Sequence, residues 1–399
     1  MTISLLLLYC QPVRRPVKVW YNQRYFIFLT YPVRTPERFH HMKPENTPRT
    51  STEATGQRRS FLNEPGRQYI RLHSDENPYG CSLHVQDILG SADTYSLPAD
   101  PVCADLRVAL SRYTGFAPER IVAGAGTSEL TERMLHAILE PGDAAITCPP
   151  TLPYPNLPAS RARVTLVQVP RNERFDIDPE AIITSMRRQN NIKMVLLASP
   201  NNPTGNSTGH STVVTLLQTG VWVLVDETYA EFSDRTLAPL VAEFDNLVVL
   251  RSFSPWAGLH GLPAGYALCS ARTASRLQRL TPPGGLNRAA QLAAIASLED
   301  RDNLLSRVRW LRLERGRLYR RLRKLNLVKP YTSAGNFLLC TVTRGNAGLI
   351  QRHLQDDGIL VKVLTDRWLP NHLRVGVGRA EDTNALIVSL KKLAAQPSL

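Results

Sequence analysis

Short runs of branched apolar residues, each followed at once by polar side chains, recur along the middle of this chain. Residues 194–198, 221–225 and 247–250 all have this form. Runs that are apolar throughout, rather than at every second position, are typical of parallel strands buried on both faces. We therefore predict an α/β fold whose polar strand ends lie at one edge, where open α/β sheets bind their ligands.

Helices are predicted between and after these strands. The apolar residues that follow Gly126 recur on one helical face, as expected for an amphipathic helix. Asp178 followed by Pro179 is a typical helix start, with the aspartate as N-cap. Two more helices are expected over residues 291–298 and 303–325.

Two of the predicted strand ends carry polar groups with more than one interpretation. A glycine-containing turn, residues 124–128, leads into a helix whose first N–H groups could hold a phosphate. The same turn also serves tight packing alone. Asp226 ends another predicted strand, and an aspartate there is often only a helix cap.

The formal net charge is +14, from 48 Lys and Arg against 34 Asp and Glu. Half of this excess lies in residues 1–60, which hold ten basic and three acidic residues. The other half is spread over a much longer stretch, so a nucleic-acid partner is not expected.

Cysteine spacing and hydropathy bear on the compartment. Six cysteines are scattered without a C-x-x-C pair, which predicts a reduced, cytoplasmic protein with incidental thiols and no metal site. No apolar run approaches the ~20 residues of a membrane span, so no membrane association is expected.

Residues 1–65 mix prolines with arginines and show no sustained period, which predicts a poorly ordered extension. A targeting peptide is the alternative for this extension.

Five motifs resemble those of fold-type-I enzymes that use pyridoxal 5′-phosphate (PLP), in the histidinol-phosphate aminotransferase-like branch of the class I/II aminotransferases. Residues 226–229 match the Asp-Glu-x-Tyr of that family, and residues 199–205 match its Asn-Pro-Asn-Asn-Pro-Thr-Gly. Residues 75–80 are similar to its Asn-Glu-Asn-Pro-Tyr-Gly arm. Residues 252–255 and 258–266 resemble its Ser/Thr-Phe-Ser-Lys and Gly-Leu-x-Gly-Leu-Arg-x-Gly-Tyr.

The resemblance implies a large domain with a mostly parallel seven-stranded sheet sandwiched by helices, and a smaller C-terminal α/β domain. The corresponding boundaries are an extension over residues 1–65, an N-terminal arm over 66–94, a large PLP-binding domain over 95–285 and a small domain over 286–399. A homodimer is also implied.

The same resemblance assigns residues to the cofactor. Asn202 and Tyr229 would hold its phenolic oxygen, and Asp226 would keep its pyridine nitrogen protonated, which makes the ring an electron sink. The full set comprises Gly126, Thr127, Ser128, Tyr154, Asn202, Asp226, Tyr229, Ser252 and Ser254, with Tyr95 reaching the phosphate of the cofactor in a partner subunit.

The substrate that the resemblance implies is an amino-acid-like or amino-phosphate small molecule. Arg374 would bind its carboxylate or phosphate, for which the guanidinium fork is suited. Asn77, Tyr79 and Asn336 complete the predicted substrate-binding residues.

Two departures from the family pattern concern the chemistry itself. Pro255 stands at the place of the Schiff-base lysine, so no catalytic residue is assigned, and Pro263 stands at the place of the phosphate-binding arginine. Proline has no side-chain amine, so it can neither anchor the cofactor covalently nor carry a proton. None of the eight lysines is a convincing replacement, and His260 is more simply a loop residue than a base. A loop tolerates proline, so we expect the fold to persist.

Three hypotheses follow from these departures. The first is an aminotransferase-like protein with a PLP-type pocket, in which PLP is held weakly or non-covalently and standard transamination is impaired or lost. The second is a non-catalytic homologue that binds a ligand or serves as a scaffold. The third is altered chemistry on non-covalently bound PLP or its amine form, pyridoxamine 5′-phosphate (PMP).

Overall fold

The computed structural model describes residues 68–153 and 155–396 of the chain. It contains three sheets and the helices that cover them. The strands are β1 (Ile70–Arg71), β2 (Ile121–Gly124), β3 (Ala144–Thr147), β4 (Thr165–Gln168), β5 (Ile192–Ala198), β6 (Trp222–Asp226), β7 (Leu247–Ser252), β8 (Gly265–Leu268), β9 (Val328–Pro330), β10 (Phe337–Val342), β11 (Ile359–Leu360), β12 (Lys362–Leu364) and β13 (His372–Gly376).

The α-helices lie between these strands and at the end of the chain. They are α1 (Leu83–Ser91), α2 (Ala104–Thr114), α3 (Thr127–Ile138), α4 (Asn156–Arg161), α5 (Pro179–Arg188), α6 (His210–Leu217), α7 (Ser254–Ala257), α8 (Ala271–Gln278), α9 (Arg288–Glu299), α10 (Arg301–Leu322), α11 (Ala347–Asp356) and α12 (Ala380–Ala394). Short 3₁₀ turns occupy Thr94–Ser96, Pro118–Arg120, Ala230–Phe232 and Ala238–Ala242.

The largest sheet has seven strands in the order β2-β8-β7-β6-β5-β3-β4. All neighbouring pairs are parallel except those made by β8, which runs antiparallel to β2 and to β7. This mostly parallel, seven-stranded sheet confirms the predicted fold class.

Both faces of this sheet are covered, which explains why residues 194–198, 221–225 and 247–250 are apolar throughout. Val223 and Val225 of β6 belong to one buried cluster together with residues of α6 and α9. Leu224, between them, belongs to a second cluster with residues of α3 and α8. Each fully buried Val or Leu side chain contributes about 1.5–3 kcal/mol, so the two clusters together hold the strands in register.

Helix starts follow local sequence signals, whereas helix lengths depend on packing. The Asp178 side chain accepts hydrogen bonds from the N–H groups of Glu180 and Ala181, as predicted for an N-cap. Helix α9 begins earlier than expected, because the Asn287 side chain caps it by accepting from Ala290 N–H. Helix α10 is shifted towards the N-terminus relative to the predicted 303–325.

A four-stranded antiparallel sheet, β12-β13-β10-β9, lies after the large sheet in the chain. The segment over β1, within the predicted arm, is attached to this part of the molecule. Strand β1 pairs in parallel with β11, and the N–H of Gly376 donates to the carbonyl oxygen of Leu72 at 2.7 Å. Farther along, the side-chain amide of Asn77 donates to the carbonyl oxygen of Trp256 in α7 at 2.8 Å. The arm therefore contacts both β13 and the segment that follows β7.

Gly258, directly after α7, permits this close approach of the arm. Its φ is +75°, a conformation that strains any residue with a Cβ. A Cβ added there would also lie 2.5 Å from the carbonyl carbon of Gly80. The backbones of the two segments can pack against each other because residue 258 has no side chain.

No helix within the described part of the chain is both long and apolar enough to cross a lipid bilayer.

We predict that Gly258→Ala displaces the arm, whereas Gly220→Ala does not. Gly220 has a similar φ of +82°, but no atom lies within 4 Å of the Cβ that an alanine would add. Both changes should lower the free energy of unfolding by about 1–2 kcal/mol, because alanine disfavours the left-handed backbone conformation. Only Gly258→Ala should accelerate amide hydrogen exchange over residues 72–80, as measured by mass spectrometry. Equal protection of these residues in the two variants would contradict the role assigned to Gly258.

Candidate active site

The carboxyl ends of β5, β6 and β7 bring the predicted polar residues to one edge of the large sheet. In the parallel register Ala198 lies opposite Asp226, and Asp226 lies opposite Leu250. The loop that holds Asn202 follows β5 directly, and Ser252 ends β7. The sequence pattern alone predicted this convergence.

A cavity of about 140 Å³ opens at this edge. Its size suits a compact, single-ring ligand. The residues that line it are Thr127, Ser128, Leu152, Ala198, Pro200, Asn202, Asp226, Thr228 and Tyr229. Five of the residues predicted to contact the cofactor are therefore on its wall.

The remaining predicted phosphate contacts gather around the start of α3. Gly126 precedes this helix with a φ of +91°, and a Cβ added at Gly265 would lie 3.1 Å from the Cα of Gly126. Ser252 is the register partner of Gly265, and its hydroxyl accepts from the N–H of Ser254 at 3.1 Å. Thr127 and Ser128 form the first turn of α3, whose N–H groups favour an anion. The structure brings all these residues together.

Asp226 is both a cap and a residue of the cavity wall, which are the two interpretations that the sequence left open. Its Oδ1 accepts from the N–H and the hydroxyl of Thr228, at 2.8 and 2.6 Å, and so caps the turn after β6. The residue is 6% exposed and also lies on the cavity wall. The capping bonds hold the carboxylate in place beside the cavity.

Tyr229 and Asn202 meet at the cavity, as the resemblance implied. The side-chain amide of Asn202 donates to the Tyr229 hydroxyl at 2.6 Å. Burial, and then the negative charge of Asp75, raise the pKa of Tyr229 well above its usual value. The hydroxyl therefore stays protonated and donates to Oδ2 of Asp75 at 2.5 Å.

Arg374, the predicted anion-binding residue, is also joined to Asp75. Its Nη1 lies 2.6 Å from Oδ1 of Asp75, and its side chain is 4% exposed, against 18% for the aspartate. Its Nη2 donates to the carbonyl oxygen of His73 at 2.8 Å. One carboxylate of the arm thus contacts both the predicted substrate arginine and the predicted partners of the cofactor's phenolic oxygen.

Contacts of the other predicted substrate residues fix the position of the arm. The side-chain amide of Asn336 donates to the backbone oxygen of Asp75 at 3.0 Å. Asn77 binds Trp256, and its Oδ1 accepts from the N–H of Tyr79 at 3.0 Å. The ring of Tyr79 is partly exposed and lies under the guanidinium of Arg379, 5.2 Å from its central carbon. Substrate contacts by these residues remain predictions.

Two predicted cofactor residues lie apart from this assembly. Tyr95 is 47% exposed, and its hydroxyl donates to the carbonyl oxygen of Leu89 in the same chain. Its contact with a partner subunit remains a prediction. Tyr154 lies outside the described residues.

The two prolines occupy positions that the fold accepts. Pro255 is buried in the first turn of α7, where a backbone N–H has no intrahelical partner in any case. Pro263 is exposed in the loop before β8, and its Cβ lies 3.8 Å from the position of a Cβ added at Gly126. Pro263 therefore borders the predicted phosphate site.

Lys193 and Lys362 illustrate how the lysines are placed. Lys193 lies at the amino end of β5, and its amine donates to the carbonyl oxygen of Asn190, at the opposite edge of the sheet from the cavity. Lys362 of β12 is the register partner of Arg374. The pKa of Lys362 is lowered, first by partial loss of solvent and then by the charge of Arg374, while Asp75 opposes the shift.

Sequence analysis missed Asp75 and Lys362 as site residues. Asp75 stands where the family arm has an asparagine, and this difference was a usable signal. Lys362 carried no signal, because only the pairing of β12 with β13 places it beside Arg374.

Residues 68–390 match the family model described as aminotransferase class I and II. A histidinol-phosphate aminotransferase from Roseiflexus castenholzii is 40% identical over 341 residues, covering 84% of this chain and 92% of that protein. One from Dehalococcoides mccartyi is 36% identical over 332 residues, covering 83% and 92%. The crystal structure of histidinol-phosphate aminotransferase from Sinorhizobium meliloti in complex with PLP aligns with a TM-score of 0.75 and 26% identity, over 82% of this chain and 91% of that one.

The ion pair between Asp75 and Arg374 gives a prediction for stability. Arg374→Met leaves the largely buried Asp75 carboxylate without its counter-charge. It should therefore lower the free energy of unfolding, measured with urea, by about 3 kcal/mol. In a chain that already carries Asp75→Asn, the same change should cost much less, because no carboxylate remains. Arg188→Met, at an exposed arginine that ends α5, serves as control and should change stability by less than about 0.5 kcal/mol. Additive effects of the Asp75 and Arg374 changes would show that the two side chains are not coupled.

Proposed function

Because the chain belongs to the class I and II aminotransferase family, with histidinol-phosphate aminotransferases among its relatives, we propose that it binds PLP or PMP non-covalently and is impaired in standard transamination. The observation that carries this proposal is Pro255. It stands at the predicted lysine position, in the first turn of a helix that follows β7, while the residues around the cavity are kept.

The residues present fit a PLP-type ligand. Asp226 lies on the cavity wall as a counter-charge for a protonated ring nitrogen, and the start of α3 offers N–H groups to a phosphate. Asn202 Oδ1 is buried and has no hydrogen-bond partner among the described residues, so the pocket still has an acceptor to satisfy. PLP, when bound, supplies an electron sink for chemistry at the carbon that carries an amino group.

Pro255 and Pro263 weaken this site in different ways. Pro255 provides no amine, so residue 255 can neither hold the ligand covalently nor move a proton. Pro263 provides no guanidinium beside Gly126, and one charge-assisted hydrogen bond is worth about 1.5–3 kcal/mol, or roughly ten- to a hundredfold in affinity. The N–H groups of α3 and the hydroxyls of Ser252 and Ser254 would still hold a phosphate.

The substrate side supports an anionic, amino-acid-like or amino-phosphate molecule. Arg374 and Lys362 are register partners on neighbouring strands, so they present two positive charges together. The Nε of Arg374 is buried and has no hydrogen-bond partner within the described segments, so the guanidinium keeps one unused donor beside its contacts with Asp75 and His73. The substrate's identity and a cytoplasmic location remain predictions.

Restoring both side chains tests the proposal. The natural chain, mixed with PLP and reduced with borohydride, should carry no cofactor mass on a lysine of the pocket. The variant Pro255→Lys/Pro263→Arg should fix PLP at residue 255 and transfer the amino group of histidinol phosphate to 2-oxoglutarate. A matched variant, Pro255→Ala/Pro263→Arg, should bind PLP more tightly without fixing it. Transamination by the natural chain, or a cofactor fixed to one of its own lysines, would overturn the proposal.

A homodimer forms part of the proposed function, and exposed apolar side chains near the arm support it. Leu83, Tyr95, Leu97, Val102 and Val108 are all between 43% and 66% exposed. These residues belong to α1, α2 and the segment between them, which also holds the tyrosine predicted to reach the partner. Several exposed apolar side chains in one stretch of the chain suit an interface between two copies.

Light scattering can test this arrangement. The natural chain should have about twice the monomer mass of 44.6 kDa. Leu83→Lys/Leu97→Lys should give a monomer, because the added charges would be buried in the interface. Leu313→Lys, at a 67% exposed leucine of α10, is the control and should leave the mass unchanged. A monomeric natural chain would rule out the homodimer.

A further inference from the structure

Asp75 introduces a negative charge at the centre of the candidate site. The resemblance places a neutral asparagine at this position of the arm, whereas here an aspartate contacts Arg374, Tyr229 and Asn202. We propose that Asp75 makes the pocket select the amine form of the ligand, PMP, over forms without an ammonium group. This inference rests on the proposed function, since it assumes that a PLP-type ligand binds there.

Both carboxylate oxygens of Asp75 have partners. Its Oδ1 forms an ion pair with Nη1 of Arg374 at 2.6 Å. Its Oδ2 accepts from the Tyr229 hydroxyl at 2.5 Å and from the Asn202 amide at 3.1 Å. Tyr229 and Asn202 are also the two residues that would hold the phenolic oxygen of a bound ligand. When their donors turn to that oxygen, Oδ2 loses the hydrogen bond from the Tyr229 hydroxyl and shares the two N–H donors of the Asn202 amide with the ligand.

A carboxylate oxygen that loses a donor in a largely buried site is destabilised. The side chain of Asp75 is only 18% exposed, so water replaces the lost bond poorly. Asn202 adds a second acceptor, because its Oδ1 is already buried without a partner in the described part of the chain. The occupied pocket therefore needs hydrogen-bond donors close to Tyr229 and Asn202.

The ring chemistry of the ligand determines which group meets this need. On a PLP-type ring the phenolic oxygen and the 4′ group are on adjacent carbons. The 2-methyl group flanks that oxygen on the ring-nitrogen side and the 4′ group on the other side. A ligand whose ring nitrogen faces Asp226 would therefore turn its 4′ group away from Asp226 and towards the arm, where Oδ2 of Asp75 contacts Tyr229 and Asn202. The ammonium of PMP brings three donors and a positive charge, whereas an aldehyde brings no donor and an alcohol brings one.

The surrounding charges allow this pairing. Oδ1 can remain on Arg374 while Oδ2 receives the ammonium, because a carboxylate accepts several hydrogen bonds. Arg374 and Lys362 oppose an added cation, but Asp75 neutralises Arg374 at 2.6 Å and Lys362 is exposed. Pro255 cannot form a covalent bond with an aldehyde. The aldehyde form therefore gains nothing at residue 255 that would offset the preference for the ammonium.

Comparing two ligands that differ at a single group tests the inference. PMP and pyridoxine 5′-phosphate share the ring, the phenolic oxygen and the phosphate, and differ only in carrying an ammonium or a hydroxyl at the 4′ position. Titration calorimetry on the full chain should show PMP binding at least about tenfold more tightly, the effect of one charge-assisted hydrogen bond. Asp75→Asn should bring the ratio of the two affinities close to one.

Glu76→Gln is the matched control, because it removes a negative charge from the neighbouring residue of the arm. Glu76 pairs with Arg71 and is not in contact with the Tyr229 hydroxyl, so this variant should keep the preference for PMP. Equal affinity of the natural chain for the two ligands, or an unchanged ratio in Asp75→Asn, would overturn the inference alone. Failure of both ligands to bind would overturn the proposed function as well. If Asp75→Asn does not fold, equal affinities in the natural chain still overturn the inference.

Discussion

The candidate site depends on the register of three parallel strands that are buried on both faces. In the interior, each backbone N–H and C=O group must find a partner in the neighbouring strand, because water is excluded. A slip of β6 by one residue would move Leu224 into the cluster that holds Val223 and Val225, and would leave polar groups unpaired. The same constraint brings the end of β5, with Asn202 just beyond it, beside Asp226.

The arm completes the site through electrostatics rather than apolar packing. Arg374 is almost fully buried, and a guanidinium in that environment requires a counter-charge. Asp75 supplies it and, through the same carboxylate, reaches Tyr229 on the large sheet. One ionised side chain therefore links β13, the arm and the loop after β6. Any ligand of this site must accommodate a negative charge that is already in place.

The fold accepts a proline at position 255 because this position contributes burial, which requires no amine. Stability comes from burial, at position 255 and in the two apolar clusters, and from backbone pairing. Pro255 lies in the first turn of α7, where a missing N–H costs no helical hydrogen bond. A lysine there would contribute chemistry while the scaffold around it remained the same. The cavity at the strand ends is therefore compatible with proline at position 255.

The sequence by itself determined the α/β class, the buried strands β5, β6 and β7 and the polar residues at their ends. It could do so because burial on two faces requires runs that are apolar throughout, and because caps such as Asp178 act on neighbouring residues. Motif resemblance added the roles proposed for Asn202, Asp226, Tyr229 and Arg374.

Only the tertiary structure placed Asp75 between Arg374 and Tyr229, and Lys362 beside Arg374. These contacts join segments that are far apart in the chain, and no local pattern encodes them. Asp75 meets Arg374 because the arm and the small sheet bring opposite charges into a space from which water is largely excluded. Lys362 lies beside Arg374 because β12 pairs with β13.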